Sequence, residues 1–218
     1  MVLQVYYWPM LARGAALVRM LEHTGTEYTY TSDKGEMAKL ASAFGASVAD
    51  TFAPPIVVDG DVMVSQSVAS CLYVGEKVGL LPDSINKFKA MQYCADIVDT
   101  FEGNLGKHNE AADALKAFLE GSRFKSLMAN LERGIKGPFY FGDEPSAVDF
   151  FLLQHMDWRS WTIFDPLKEA PYNVDVLKEY PKVVAIRDAL RATDAYKKFD
   201  KMKPMGPIKE EILCAFKA

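Results

Sequence analysis

The segment PPIVVDGDVMVSQSVA, residues 54–69, joins two short apolar stretches through a tight turn and then enters a helix pattern. Residues 56–58 and 62–65 are rich in β-branched side chains, which favours two strands. Between them, Asp59-Gly60 is typical of a two-residue hairpin loop, because glycine tolerates the positive φ that such loops need. Ser67 is then predicted to cap a helix, whose free N–H groups and positive dipole end suit a carboxylate. The segment therefore predicts a ββα unit, with or without a bound anion.

The residues before this segment predict further alternation of strands and helices. Residues 2–8 combine β-branched and aromatic side chains and predict a strand that Pro9 ends. Apolar residues at helical spacing predict a helix over 13–24, with Gly25 as its stop. A second strand is predicted over 27–31, an irregular helix over 33–44 and a loop over 45–53. The order β-α-β-α-β-β-α matches a thioredoxin-like layer with a mixed sheet.

The rest of the chain predicts helices alone. A connector rich in glycine and proline follows at 79–84. Helices are then predicted over 85–105, 111–121, 123–136, 147–161, 174–178 and 181–192. Ser146 and Asp149 follow the capping-box pattern at the start of the fourth of these helices. We therefore predict an α/β thioredoxin-like domain over residues 1–81 and an all-α domain over 82–218.

Composition restricts the partners and the cellular setting. Half of the 218 residues are hydrophobic, and the formal net charge of −4 argues against nucleic acid or an anionic membrane as the main partner. No apolar run approaches the ~20 residues of a membrane span, and the N-terminus lacks a signal-peptide pattern. The three cysteines are too scattered for a disulfide framework or a zinc site. These features predict a cytoplasmic protein without a metal or a membrane partner.

Two motifs together resemble the cytosolic glutathione transferases. Pro55, the Asp-Gly-Asp turn and the pair Gln66-Ser67 are similar to the glutathione-binding half of that family. The resemblance implies a cis Pro55 that opens the third strand, with Gln66 and Ser67 holding the γ-glutamyl end of glutathione. The stretch YYWPMLARGAAL, residues 6–17, is similar to the opening of the Tyr-type, sigma- and pi-like classes. It implies Tyr7 as the catalytic residue and Arg13 near the glycyl or thiol part of the site.

The chemical task that the resemblance implies is ionisation of the glutathione thiol. A free thiol has a pKa of about 8.5, and a hydroxyl aimed at the sulfur stabilises the thiolate. Adjacent strand residues face opposite sides of a sheet, so only one of Tyr6 and Tyr7 can point into the site. Alignment on Pro9 and Arg13 favours Tyr7, while packing remains the alternative role for both tyrosines.

Several positions depart from the family pattern. Met37 and Ala41 occupy the places where a Trp and a Lys commonly bind the glycyl carboxylate, and Lys39 is close enough to substitute. The residue before the cis-proline pairs with the cysteinyl part of glutathione through its backbone, yet here it is Pro54, which has no N–H. One hydrogen bond is therefore lost, at a cost of about 0.5–1.5 kcal/mol. These departures predict weaker glutathione binding.

The resemblance also implies an electrophile pocket between the domains. Met10, Leu11 and Phe101 are candidates for its lining, as are Met205 and Phe216 in the tail, although each suits a core equally well. The implied function is conjugation of glutathione to small hydrophobic electrophiles in detoxification, by a homodimer. Asp96, Asp99 and Asn104 are candidates to complete the γ-glutamyl site of the neighbouring subunit. The alternatives are a glutathione-dependent isomerase or peroxidase, or a non-catalytic ligand carrier or structural protein similar to the lens S-crystallins.

Overall fold

The computed structural model describes residues 2–46, 50–83, 86–108 and 111–217. Its first part contains the elements β1 (Leu3–Tyr6), α1 (Ala15–Thr24), β2 (Tyr28–Thr31), α2 (Lys34–Leu40), β3 (Ile56–Asp59), β4 (Val62–Ser65) and α3 (Ser67–Lys77). The strands form one sheet in the order β2-β1-β3-β4, in which β1 and β2 are parallel and the other pairs antiparallel. The predicted mixed thioredoxin-like sheet is confirmed, while residues 47–49 of the predicted loop lie outside the described residues.

The local turn signals act as predicted. Gly60 has a φ of 61°, and the hairpin pairs Asp59 with Val62 directly across the loop. Gly25, at a φ of 66°, ends α1 in the left-handed conformation. The predicted cap of α3 is wrong by one residue. Gln66 occupies the N-cap position without a side-chain cap bond, since its own φ of 73° turns the chain and leaves Ser67 as the first helical residue.

The second part is helical. It contains α4 (Asn86–Val98), a π-helical segment (Asp99–Asn104), α5 (Leu105–His108), α6 (Ala112–Glu120), α7 (Ser122–Gly134), α8 (Ala147–Arg159), a second π-helical segment (Ser160–Phe164), α9 (Asp165–Lys168), α10 (Pro181–Arg191), α11 (Asp194–Lys198) and α12 (Glu210–Leu213). The helix predicted over 174–178 is absent. There the Asp175 carboxylate accepts the Leu177 N–H, a local bond that competes with helix formation.

The core joins the two parts mainly through α1, α3, α4 and α8. Almost every residue of α8 is buried, and the predicted capping box forms at its start. Asp149 accepts hydrogen bonds from the Ser146 N–H at 2.8 Å and from the Tyr140 N–H at 2.9 Å. On α3, a Cβ added to Gly75 would lie 2.6 Å from that of Ala147, so this glycine permits the close packing of α3 on α8. Among the described residues, no helix is both long and apolar enough to cross a membrane.

Candidate functional site

A cleft of about 480 Å³ lies where the sheet meets α4 and its π-helical extension. From the α/β part it is lined by Arg13, residues 52–55 and residues 66–68. From the helical part, Val98 and Glu102 complete its wall. The cleft thus brings together five of the six residues predicted to bind glutathione, namely Arg13, Pro54, Pro55, Gln66 and Ser67. A larger groove of about 530 Å³ between residues 164 and 188 contains none of the predicted site residues.

The backbone of the cleft has two unusual features. The peptide bond between Pro54 and Pro55 is cis, as the family resemblance implies. Gln66 has a φ of 73° and a ψ of 129°, a conformation that non-glycine residues rarely adopt. Such backbone strain persists where the surrounding structure imposes it, often at binding sites. Both features lie in the cleft wall, at the residues that the sequence singled out.

The structure separates the two candidate tyrosines. Tyr6 is partly exposed, and its hydroxyl donates a 2.9 Å hydrogen bond to Gln4 on the same strand. Tyr7 is only 4% exposed and packs in a small apolar cluster that includes Leu11 and Met202. Its ring lies against Gly14, where an added Cβ would come within 2.4 Å of the ring. The two side chains therefore have different surroundings, as strand alternation predicts.

The Tyr7 hydroxyl lies at the start of α1. Burial raises the pKa of Tyr7 to about 12, against the lowering effect of the nearby backbone N–H groups of Arg13 and Gly14 and of the Arg13 guanidinium. The phenol therefore stays protonated at neutral pH. A protonated phenol can donate its proton in a hydrogen bond to another group. Arg13 links this hydroxyl to the cleft, since its side chain forms part of the cleft wall.

Arg13 is held by an acidic residue that the sequence analysis did not identify. The guanidinium Nε lies 2.6 Å from Oε2 of Glu102, whose side chain is mostly buried, while the Arg13 side chain remains 52% exposed. Burial raises the pKa of Glu102, and the nearby guanidinium of Arg13 opposes that rise. The spacing of Val98 and Glu102, one helical turn apart, could have indicated a shared face. Nothing in the sequence indicated that this face meets Arg13.

Two buried residues of α8 stand behind Glu102. Nε2 of His155 lies 3.2 Å from the Glu102 Oε1, and Arg159 donates a 2.6 Å hydrogen bond to the Phe101 carbonyl. Burial lowers the pKa of His155 to about 3, and the positive charges of Arg159 and Arg13 act in the same direction. Burial also lowers the pKa of Arg159, to about 10. At neutral pH the histidine is therefore neutral and the arginine is charged.

The structure places the other predicted residues away from the cleft wall. The Lys39 side chain is exposed and lies 2.6 Å from Glu36 on its own helix, α2. Leu11 is buried beside Tyr7, and the partly buried Met10 packs against the same cluster. Phe101 is fully buried in the main core, with its ring 6.0 Å from that of His155. Among the described residues, no group of three or more His, Cys, Asp or Glu side chains could hold a metal ion.

The buried neutral histidine makes a pH dependence of stability predictable. An unfolded-state histidine titrates near 6.5, whereas His155 in the folded protein titrates near 3. Between these values the unfolded chain binds more protons, so the stability that this group contributes is lost as the pH falls from about 6.5 toward 3. The loss between pH 7 and pH 5 is about 2 kcal/mol. Asp149, whose pKa burial raises to about 6, acts in the opposite direction.

The measurement is urea unfolding of the wild type and of His155→Gln at several pH values. We expect the free energy of unfolding of the wild type to fall by about 2 kcal/mol relative to the variant between pH 7 and pH 5. Asp149 is present in both proteins, so its contribution cancels in the difference between their free energies of unfolding. If the free energies of unfolding of the wild type and of His155→Gln changed in parallel with pH, His155 would not titrate in this way.

Comparison with known proteins finds similarity along most of the chain. No protein-family model matches it. Among curated proteins, S-crystallin SL11 of Nototodarus sloanii is 24% identical over 198 residues, which cover 86% of this chain and 90% of that protein.

Solved structures show the same architecture. The Pi-class glutathione S-transferase of Onchocerca volvulus superposes with a TM-score of 0.69 at 16% identity, over 91% of each chain. A glutathione transferase family member from Pseudomonas fluorescens, with two glutathione molecules bound, gives 0.67 at 18% identity, over 90% of this chain and 91% of that one. The prostaglandin synthase D of Nilaparvata lugens gives 0.66 at 14% identity, over 94% of this chain and 100% of that one.

Proposed function

We propose that this chain, which has the glutathione transferase fold, binds glutathione in the 480 Å³ cleft and stabilises its thiolate with Tyr7. One observation carries the proposal: the cleft collects Arg13, Pro55, Gln66 and Ser67, and Arg13 is also close enough to the Tyr7 hydroxyl to lower its pKa through both its backbone N–H and its guanidinium. Glutathione would be a co-substrate, and no metal is required. Pro54 would face its cysteinyl part.

The chemistry follows from the state of Tyr7. A phenol with a raised pKa is a hydrogen-bond donor at neutral pH and does not act as a base. It would therefore stabilise the thiolate by donating to sulfur, while the Arg13 guanidinium adds positive potential. The thiol proton passes to solvent. The thiolate then forms a carbon–sulfur bond to the electrophile, and the leaving group departs with the bonding electron pair.

The second substrate is proposed to be a small hydrophobic electrophile. Around the Tyr7 cluster pack Met10, Trp158, Trp161 and Met205, all partly buried. Methionine and aromatic side chains suit an adaptable apolar pocket. This surface is adjacent to the proposed thiolate position, and it favours an apolar second substrate over a charged one.

The direct test combines binding with a thiol titration. Calorimetry with glutathione measures binding, and the absorbance of bound thiolate as a function of pH measures the thiol pKa. We expect binding at millimolar or lower concentration, a thiol pKa below the free value, and conjugation of an aryl halide. Absence of binding at millimolar glutathione would refute the proposal.

A non-catalytic role is the second candidate, and specific observations favour it. The curated relative is named S-crystallin, the group that the sequence analysis gave as the structural alternative. Pro54 removes one bond to glutathione, and Tyr7 is almost fully buried. Glutathione binding without a lowered thiol pKa would select this candidate. An isomerase, as the name of the Nilaparvata lugens neighbour suggests, would instead show the lowered pKa but little conjugation.

The effect of Pro54 on glutathione affinity can be measured by restoring a backbone N–H at this position. We expect Pro54→Ala to bind glutathione about threefold to tenfold more tightly than the wild type, because the new N–H supplies a hydrogen bond of about 0.5–1.5 kcal/mol. The control is Pro9→Ala, which removes a proline outside the cleft wall. Equal affinity of Pro54→Ala and wild type would contradict this account.

The protein is also proposed to be a cytoplasmic homodimer that acts in detoxification. Phe52 in the cleft wall is 63% exposed, and Phe88 and Met91, three residues apart on α4, are 68% and 51% exposed. Phe88 and Met91 thus present an exposed apolar pair on one face of α4, and exposed apolar patches mark protein interfaces.

The proposed dimer can be tested by substituting Phe52, the exposed aromatic residue of the cleft wall. We expect Phe52→Ser to shift the protein toward monomer in sedimentation-velocity experiments, because a serine at this position removes apolar area from the interface. Val62, exposed on β4, supplies the control Val62→Ser. A wild type that sediments as a monomer would refute the dimer.

A further inference from the structure

The side chains behind Arg13 form a buried cluster that glutathione binding does not explain. It comprises Glu102 and, from α8, His155 and Arg159. Four buried atoms of this cluster have no hydrogen-bond partner within the protein: Oε1 of Glu102, both ring nitrogens of His155 and Nε of Arg159. An unpaired buried polar group costs about 1–3 kcal/mol of folding stability. Such a cluster is therefore destabilising, which indicates a role other than stability.

The Arg13 guanidinium has one edge at Nε and an opposite edge formed by its two Nη groups. The Nε edge is held by Glu102 at 2.6 Å, whereas the side chain as a whole is half exposed and lines the cleft. Because the Arg13 side chain is half exposed at the cleft wall, it can reach an anion in the cleft. Where the Nη edge points depends on where the Glu102 carboxylate is held.

Glu102 is in turn held by the helical part of the chain. It lies in the π-helical segment, a widened turn of a kind that is frequent at functional sites. Arg159 fixes the preceding residue by donating to the Phe101 carbonyl. His155 is fully buried, and its Nε2 faces the otherwise unpartnered Oε1 of Glu102 at 3.2 Å. A neutral imidazole with its proton on Nε2 can donate to that oxygen after a small rotation.

We propose that His155 is a positioning residue: it holds Glu102, and Glu102 holds Arg13 by its Nε edge, so that the Nη edge of Arg13 faces the glutathione sulfur. This inference rests on the proposed function and adds to it that α8 sets the potential at the thiol. The direct contact with the cleft belongs to Arg13 and Glu102, and His155 acts through them.

A simpler alternative predicts the opposite sign. If Glu102 were only a negative charge near the cleft, then Glu102→Gln would stabilise the thiolate and lower the thiol pKa. If Glu102 positions Arg13, the same variant misdirects the guanidinium and raises the thiol pKa. The sign of the change therefore separates the two roles.

The first measurement does not depend on glutathione. The Arg13 Nε–H signal in ¹H–¹⁵N NMR spectra of the free protein is assigned by its loss in Arg13→Lys. We expect this signal to shift in Glu102→Gln and His155→Leu, and to return toward its wild-type position in His155→Gln, whose amide keeps a donor. His23→Gln, at a histidine whose ring packs against Phe150 at a tilt instead, is the matched control and should leave the signal unchanged. An unchanged Arg13 signal in His155→Leu would overturn the proposal.

The second measurement is the thiol pKa of bound glutathione. In His155→Leu we expect it to rise by about one unit, a tenfold loss of thiolate at a pH below both values, with the glutathione Kd changed less than twofold. His155→Gln should recover most of the loss. An unaltered or lower thiol pKa in both Glu102→Gln and His155→Leu would overturn the positioning role. If the wild type does not bind glutathione, the proposed function fails, and the NMR result alone decides whether His155 positions Arg13.

Discussion

Tyr7→Phe is expected to lower kcat/KM for conjugation of an aryl halide about 100-fold, the typical loss when one donor to a developing oxyanion is removed. The thiol pKa of bound glutathione should rise toward its free value in the same variant. The reason is that phenylalanine keeps the ring that packs against Gly14 but removes the hydroxyl that would donate to the sulfur. Stability should change little, since the ring contacts are retained.

Tyr6→Phe provides the matched control. The Tyr6 hydroxyl bonds Gln4 on the same strand, so its removal should leave both the thiol pKa and kcat/KM within about twofold of the wild type. A loss of activity in Tyr6→Phe with retention in Tyr7→Phe would reverse the assignment. If neither variant lost activity relative to the wild type, the non-catalytic role would be favoured.

The largest effect on stability is expected from Asp157→Asn. This carboxylate is fully buried, pairs with Arg19 of α1, and accepts from the Arg191 Nε and the Tyr196 hydroxyl at 2.7 and 3.1 Å. Arg19 also lies over the Tyr196 ring at 4.3 Å. Removing this negative charge leaves Arg19 without its buried ion-pair partner and removes the nearer of two carboxylates that act on Arg191, at the contact between α1 and the helical part. Breaking a buried pair in this way costs about 3–5 kcal/mol.

The measurement is thermal and urea unfolding of the variant and the wild type. For a chain of this length a loss of 3–5 kcal/mol corresponds to a Tm lowered by about 10 °C. Glu76→Gln, which breaks the exposed 2.5 Å pair with Lys87, is the control and should change stability by less than about 1 kcal/mol. A loss in Asp157→Asn no larger than in the control would show that the network contributes no net stability.

The site was only partly predictable from the sequence. The family resemblance singled out Gln66 and Ser67, which follow a hairpin with strong local signals, and the structure places both in the cleft wall. Glu102 could not be identified from the sequence, since its contact with Arg13 spans nearly 90 positions and depends on how the π-helical segment meets α1. Lys39 was a candidate because it lies two positions from Ala41 in the sequence. This closeness could not show that its side chain lies on an exposed face of α2.

Local sequence signals were enough to predict three features: the hairpin around Gly60, the end of α1 at Gly25 and the capping box at Ser146. These features depend on φ preferences and on hydrogen bonds between residues a few positions apart. Which side chains share the cleft, and what charge they carry, depends instead on tertiary packing. Burial lowers the pKa of His155 and raises that of Tyr7, and burial depends on residues that are distant in the chain.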